Sequence, residues 1–139
     1  MYTLRVEQSF DSAHFLAGYK GKCGNIHGHR WRVEVEVSAD TLIELGEHAG
    51  MVVDFSILKS ALRELVDPFD HVLIIETGTM RVATLEQLQQ DGFAINFVDF
   101  RPTAENFAAY FYRQLKKAQF AVRKVIVYET PTNSAIYEE

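Results

Sequence analysis

Trp31-Arg32-Val33-Glu34-Val35-Glu36-Val37-Ser38 alternates without a break, apolar at every odd position and polar or charged at every even one. A period of two puts Trp31, Val33, Val35 and Val37 on one face of an extended strand and Arg32, Glu34, Glu36 and Ser38 on the other. Antiparallel sheets packed on one face have this pattern. Upstream, Leu4, Val6 and Phe10 alternate with Arg5, Glu7 and Ser9, with Gln8 as the one break, and predict a first half-buried strand. Two further strands are expected over residues 94–100 and 122–128, the latter alternating imperfectly.

Helical periodicity fills the gaps. Asp54 can cap a helix that begins at Phe55, carries Leu58, Ala61, Leu62, Leu65 and Val66 on one face, and stops at Pro68. Thr103, after Pro102, can cap a second, with Phe107, Tyr110, Phe111 and Leu115 as its apolar stripe and Gln114, Lys116 and Lys117 toward water. Residues 71–91 are hardest to assign; a strand over 72–75 and a short helix over 83–90 are compatible with them. The order strand, strand, helix, strand, helix, strand describes one α+β domain over residues 1–139, an antiparallel four-stranded sheet with two helices on one face. Oligomerisation would cover the other face.

The 139 residues suit one domain, and 47% hydrophobic content with ten Phe, six Tyr and one Trp is that of a packed core. Net charge −5 provides no basic field for nucleic acid. No run approaches the roughly 18 apolar residues of a membrane span, and the N-terminus lacks the apolar stretch of a secretory signal. Cys23 is the only cysteine, which rules out an intramolecular disulfide and fits a reducing compartment, so a cytoplasmic location is expected.

Of five histidines, His14, His27 and His29 fall near the junction of the first two strands. Residues two apart in an extended segment share a face, so His27 and His29 can offer two imidazoles to one ion, and Gly28 between them lets backbone approach. A hairpin with residues 17–25 as its loop returns His14 close to His27. Three neutral imidazoles leave zinc its double charge and an open fourth position that can polarise a bound oxygen. Two plainer readings stand beside this one. The histidines could be unconnected loop residues, or Cys23, four residues before His27, could be the fourth ligand of a closed structural zinc site. In the catalytic reading Cys23 stands near the metal without binding it and serves as a general base, with Lys20 and Lys22 adding positive charge to its loop.

The string Cys23-Gly-Asn-Ile-His27-Gly-His29, preceded by Phe10-Asp-Ser-Ala-His14, resembles the 6-pyruvoyl-tetrahydropterin synthase family. Gly50-Met-Val-Val-Asp54-Phe55, Asp70-His71, Pro102-Thr103-Ala-Glu105-Asn106 and Glu129-Thr130 follow in the family's order. The resemblance implies the tunnelling fold, in which antiparallel sheets of several subunits join into a barrel, in a homohexamer with active sites at subunit interfaces. It implies Zn2+ on His14, His27 and His29, with 7,8-dihydroneopterin triphosphate as substrate. Cys23 matches the family's base, and Asp70 with His71 its acid/base pair, which meets the cysteine across an interface. Glu129 matches the anchor of the pterin ring. Thr103 and Glu105 match a motif that lines the pterin pocket, and they serve equally well as a helix cap and a first-turn acid. Asp54 reads as a cap, and His48, outside every motif, as a surface residue.

Adjacent residues in an extended chain point apart, so the Asp70–His71 pair requires a local turn. Two departures matter. Val72-Leu-Ile-Ile-Glu76 replaces the Leu-Asn pair that many relatives carry after Asp-His, and the segment to Gln90 is longer than in compact members. Gly24, Asn25 and Ile26 offer no glutamate before His27, unlike a folate-linked branch, which favours the cysteine-dependent branches. The short Cys-x-x-x-His spacing is more similar to the bacterial 6-carboxy branch, whose reaction releases acetaldehyde and triphosphate and serves deazapurine (queuosine) synthesis. A pyruvoyl-forming enzyme, a member turned to another pterin and a non-catalytic zinc-stabilised binding domain are the alternatives.

Overall fold

The computed structural model describes residues 1–139. The elements run β1 (Tyr2–His14), β2 (His27–Ala39), α1 (Phe55–Val66), β3 (Leu73–Glu76), α2 (Val82–Gln90), β4 (Ile95–Val98), α3 (Ala104–Lys117), β5 (Val122–Thr130) and β6 (Asn133–Glu138). Short 3-10 turns lie at Lys22–Gly24 and Asp67–Phe69.

The strands form one sheet in the order β4-β3-β1-β2-β5-β6. β1 and β2 pair antiparallel from Tyr2 opposite Ala39 to His14 opposite His27, and β5 and β6 continue the antiparallel part. β3 joins β1 in parallel through Ala13 and His14, and β4 joins β3 in parallel. The sheet thus has six strands of mixed sense instead of four antiparallel ones, and three helices instead of two. A parallel pair needs a long crossover, and α2 is that crossover between β3 and β4. β6 escapes the alternation rule because Ile136 on its exposed side is as apolar as Ala135 and Tyr137 on its half-buried side.

The expected helix starts hold. The Asp54 carboxylate accepts from the Ser56 amide at 2.6 Å, and the Thr103 hydroxyl from the Asn106 amide at 3.3 Å. Leu58, Leu62 and Val66 of α1 and Phe107, Phe111 and Leu115 of α3, spaced by four, are fully buried against the sheet. They meet Phe10, Trp31, Val33 and Val35 there, and each such side chain contributes about 1.5–3 kcal/mol by leaving water. The Phe10 and Trp31 rings stack at 5.9 Å, an offset arrangement that locks the centre of the β1–β2 hairpin. Gln8 turns the same way but stays half-buried, its amide reaching the Lys59 carbonyl at 3.4 Å.

α1 and α3 pack on the core face, yet Glu34 and Glu36 are buried on the other. Arg5 and Lys124 hold Glu36 at 2.6 and 3.4 Å, and Arg5 and Arg32 hold Glu34. Burial raises the Glu36 carboxyl, but the bonds from Arg5 and Lys124 outweigh it and leave the group below the ordinary range. No helix is long and apolar enough to cross a membrane.

Candidate active site at the end of the core face

The apolar stripe of β2 does not stop at Trp31. The next two odd positions are His29 and His27, and in β1 Phe10 is followed on the same face by Ser12 and His14. The register sets Phe10 against Trp31, Ser12 against His29 and His14 against His27. The three imidazoles therefore extend the core face, and His14 is the last residue of its strand. Ring centroids lie 4.5 Å apart for His14–His27, 4.8 Å for His27–His29 and 5.2 Å for His14–His29. One nitrogen from each converges within 4.8 Å of the others. Trp31 forms the floor, edge-on to His14 and His29. The reading of unconnected loop histidines fails on this geometry.

Two backbone carbonyls orient the rings. His14 Nδ1 lies 2.8 Å from the Pro102 carbonyl, and His27 Nδ1 2.7 Å from that of Asn25. A carbonyl only accepts, so both Nδ1 atoms carry the hydrogen, and a neutral ring then leaves Nε2 bare. The two Nε2 atoms face each other at 3.0 Å. Two lone pairs at that distance repel unless a proton or a metal ion lies between them. The buried His29 Nε2 has no hydrogen-bond partner, although Glu129 Oε1 lies 3.3 Å away. Burial pushes His14 down to about 4 and lowers His29 as well, so these rings are neutral at physiological pH. This donor set fits a metal ion, with carbonyl-bound Nδ1 groups behind the ligands as such sites require. Gly28 is not needed for close approach: a β-carbon there would meet the Ser12 carbonyl at an ordinary 3.6 Å.

Cys23 is half-buried on the 3-10 turn between β1 and β2. Its loop is closed at the base by the Leu16 amide donating to the Cys23 carbonyl at 2.8 Å. The group of converging ligand atoms contains the three histidines and not its sulfur, so the closed four-ligand site is not formed.

Asp70 and His71 do come together. His71 Nδ1 lies 3.0 Å from Asp70 Oδ2, and the turn that allows it is a left-handed backbone at His71, φ 56°. Asp11 braces both residues. Its amide donates to Asp70 Oδ1 at 2.9 Å, its carbonyl accepts from the His71 amide at 2.6 Å, and its carboxylate is clamped by Arg30 at 3.0 and 3.2 Å. The Asp11 amide, then the His71 ring, hold the Asp70 carboxyl below its usual range. Both side chains are largely exposed.

Two cavities meet at Gly28, His29 and Arg30. One, of about 650 Å³, also holds Asp11, His71, Leu88 and Phe93 in its lining, so the long 77–93 segment builds its wall. The other, of about 390 Å³, is lined by Arg32, Tyr128, Glu129 and Thr130. Thr103 is the α3 cap and Glu105 an exposed residue of its first turn; neither lines these two cavities. The supporting groups Pro102, Asn25 and Asp11 were not foreseen. Each acts through its main chain, which residue type does not reveal, and only the position of Pro102 beside Thr103 hinted at its part.

A curled α+β sheet with an open imidazole triad at the end of its core face defines a tunnelling-fold protein. The 6-pyruvoyl tetrahydropterin synthase of Plasmodium vivax shares this fold, with a TM-score of 0.73 at 23% identity over 99% of this chain and 97% of that one. The family model described as 6-pyruvoyl tetrahydropterin synthase matches residues 3–139. The 6-carboxy-5,6,7,8-tetrahydropterin synthase of Haemophilus influenzae is 39% identical over the full length of both chains. That of Aquifex aeolicus is 38% identical over 85% of this chain and 76% of its own. The chain belongs to the 6-pyruvoyl tetrahydropterin synthase family, and it is a lyase.

Proposed function

We propose that this chain converts 7,8-dihydroneopterin triphosphate to 6-carboxy-5,6,7,8-tetrahydropterin, releasing acetaldehyde and triphosphate for deazapurine (queuosine) synthesis. The observation that carries the reading is the convergence of His14, His27 and His29 with Cys23 left outside the ligand set. The 39% identity to the Haemophilus influenzae enzyme over both full lengths favours the carboxy branch over the pyruvoyl one.

His14, His27 and His29 would hold Zn2+, which when bound supplies Lewis acidity to the hydroxyls of the substrate side chain. Cys23 serves as the base that takes a proton from a side-chain carbon. His71, held through Nδ1 by an ionised Asp70, exchanges protons through its free Nε2. The exposure of this pair suits presentation to the Cys23 of a neighbouring subunit in a homohexamer. Glu129, at the wall of the smaller cavity, accepts two N–H groups from the aminopyrimidinone edge of the pterin. Thr103 and Glu105 line the pterin pocket once subunits assemble. A reducing cytoplasm keeps Cys23 a free thiol.

The test is mass-spectrometric analysis of products from the zinc-loaded protein and 7,8-dihydroneopterin triphosphate, with Cys23→Ala as control. A 6-carboxy-tetrahydropterin and acetaldehyde, both missing with the variant, are expected. A pyruvoyl product would move the chain to the other branch, and no turnover by a zinc-replete oligomer would sink the reading.

A further inference from the structure

Arg101 is half-buried just before the Pro-Thr-Ala-Glu-Asn run, and its side chain leaves that run altogether. Its Nη2 donates to the Ala17 carbonyl at 3.2 Å, across 84 positions of sequence. Ala17 is the neighbour of Leu16, whose amide holds the Cys23 carbonyl at 2.8 Å. The Arg101 main chain is fixed in turn, its carbonyl accepting from the Thr103 amide at 2.8 Å and the Asn106 side chain at 2.9 Å. The next residue, Pro102, presents the carbonyl that orients His14. One short segment ahead of α3 therefore touches both the metal-facing histidine and the base of the cysteine loop.

We propose that Arg101 is a positioning residue that sets the Cys23 loop against the histidine cluster. The loop makes few other fixed contacts. Its remaining main-chain bonds are internal, from Tyr19 to Leu16, Gly24 to Gly21 and Asn25 to Lys22. Such bonds give the loop its shape but not its place. Placement matters because a base must lie within hydrogen-bond reach of the proton it takes, and an ångström of error is costly. Arg101 bonds the first residue of the 17–25 loop from a distant part of the chain, while His27 Nδ1 meets the carbonyl of the last, Asn25, at 2.7 Å, and the planar, permanently charged Arg101 fork can make its bond without titrating.

The role of Cys23 rests on the function proposed above, so the experiment reads the loop and the turnover separately. In zinc-loaded Arg101→Ala, hydrogen exchange of the Leu16 amide should speed up at least tenfold, while amides of the β1–β2 ladder and the zinc content stay unchanged. The kcat for 7,8-dihydroneopterin triphosphate should fall at least tenfold with KM within threefold of wild type. Arg101→Lys should recover most of the kcat, because an ammonium reaches the same carbonyl. Unchanged exchange at Leu16, or faster exchange with unchanged kcat, overturns the proposal. Should the wild type itself show no turnover, the functional reading fails, and iodoacetamide alkylation of Cys23 then decides the placement: a changed rate in Arg101→Ala upholds it, an equal rate overturns it.

Discussion

The indole of Trp31 stands edge-on to the imidazole of His14, ring centroids 5.0 Å apart and planes at 83°. Because Trp31 is the only tryptophan, all indole fluorescence comes from a ring in contact with the histidine cluster. Titrating metal-free protein with Zn2+ should change that signal and saturate at one ion per chain. Cys23→Ala should keep the stoichiometry, since its sulfur is not among the converging ligands. His27→Ala should weaken binding at least tenfold, as loss of a ligand costs more than loss of its supporting bond. A Cys23→Ala protein that no longer binds zinc would restore the closed structural site.

The Asp70–His71 pair predicts a loss of turnover without a loss of fold. Asp70→Asn keeps an oxygen for the Asp11 amide but loses the charge that steadies the His71 ring. We expect kcat lower by about 10²-fold, the lower end of acid–base contributions, with the fold retained and the melting temperature at pH 7 only slightly lower. The Asp70 carboxyl lies below its ordinary range, so the stability it contributes is present above its unfolded pKa and is lost as pH falls through the folded one. Wild type should therefore lose stability on acidification more steeply than Asp70→Asn. Thermal melts of both proteins from pH 7 down to pH 3 check this.

These outcomes separate what residue order discloses from what it hides. The hairpin was legible because Trp31 to Val37 alternates on a packed face, and the same parity carried on to His29 and His27, which placed the cluster. Cap residues Asp54 and Thr103 marked the helices because their side chains do the capping. β4 was legible within 94–100, whereas β3 was harder, being four residues whose parallel pairing with β1 has no residue signature. The Asp70–His71 contact was named through resemblance, yet its cause, a left-handed His71 pinned by the Asp11 main chain, depends on dihedrals and carbonyls that no residue type encodes.

Burial of His14 makes the metal-free protein sensitive to acid. Its pKa is about 4 in the folded chain against 6.5 ordinarily, so between those values the unfolded chain binds the extra proton and stability drops as pH falls. The gap amounts to about 3 kcal/mol at 1.36 kcal/mol per pH unit. None of it is lost above 6.5, and all of it below about 4. Urea unfolding of metal-free wild type and His14→Asn at pH 7, 5.5 and 4 measures it, and the variant should show the shallower decline. Equal slopes would mean that His14 takes up a proton without resistance from its surroundings.

Gly24 tests the shape of the cysteine loop as distinct from its anchorage. A β-carbon at this position would stand 2.5 Å from the Tyr19 carbonyl, a backbone atom that cannot swing aside. Gly24→Ala must therefore displace the chain next to Cys23 while leaving the β1–β2 ladder and its histidines in register. We expect zinc stoichiometry to be retained, turnover to fall by an order of magnitude or more, and the loss to lie in kcat, since an ångström of misplacement costs about 10²-fold. Metal analysis and steady-state kinetics on the purified variant decide it. Full activity in Gly24→Ala would show that turnover does not depend on where this loop holds Cys23, and the base would then have to be sought elsewhere in the cleft.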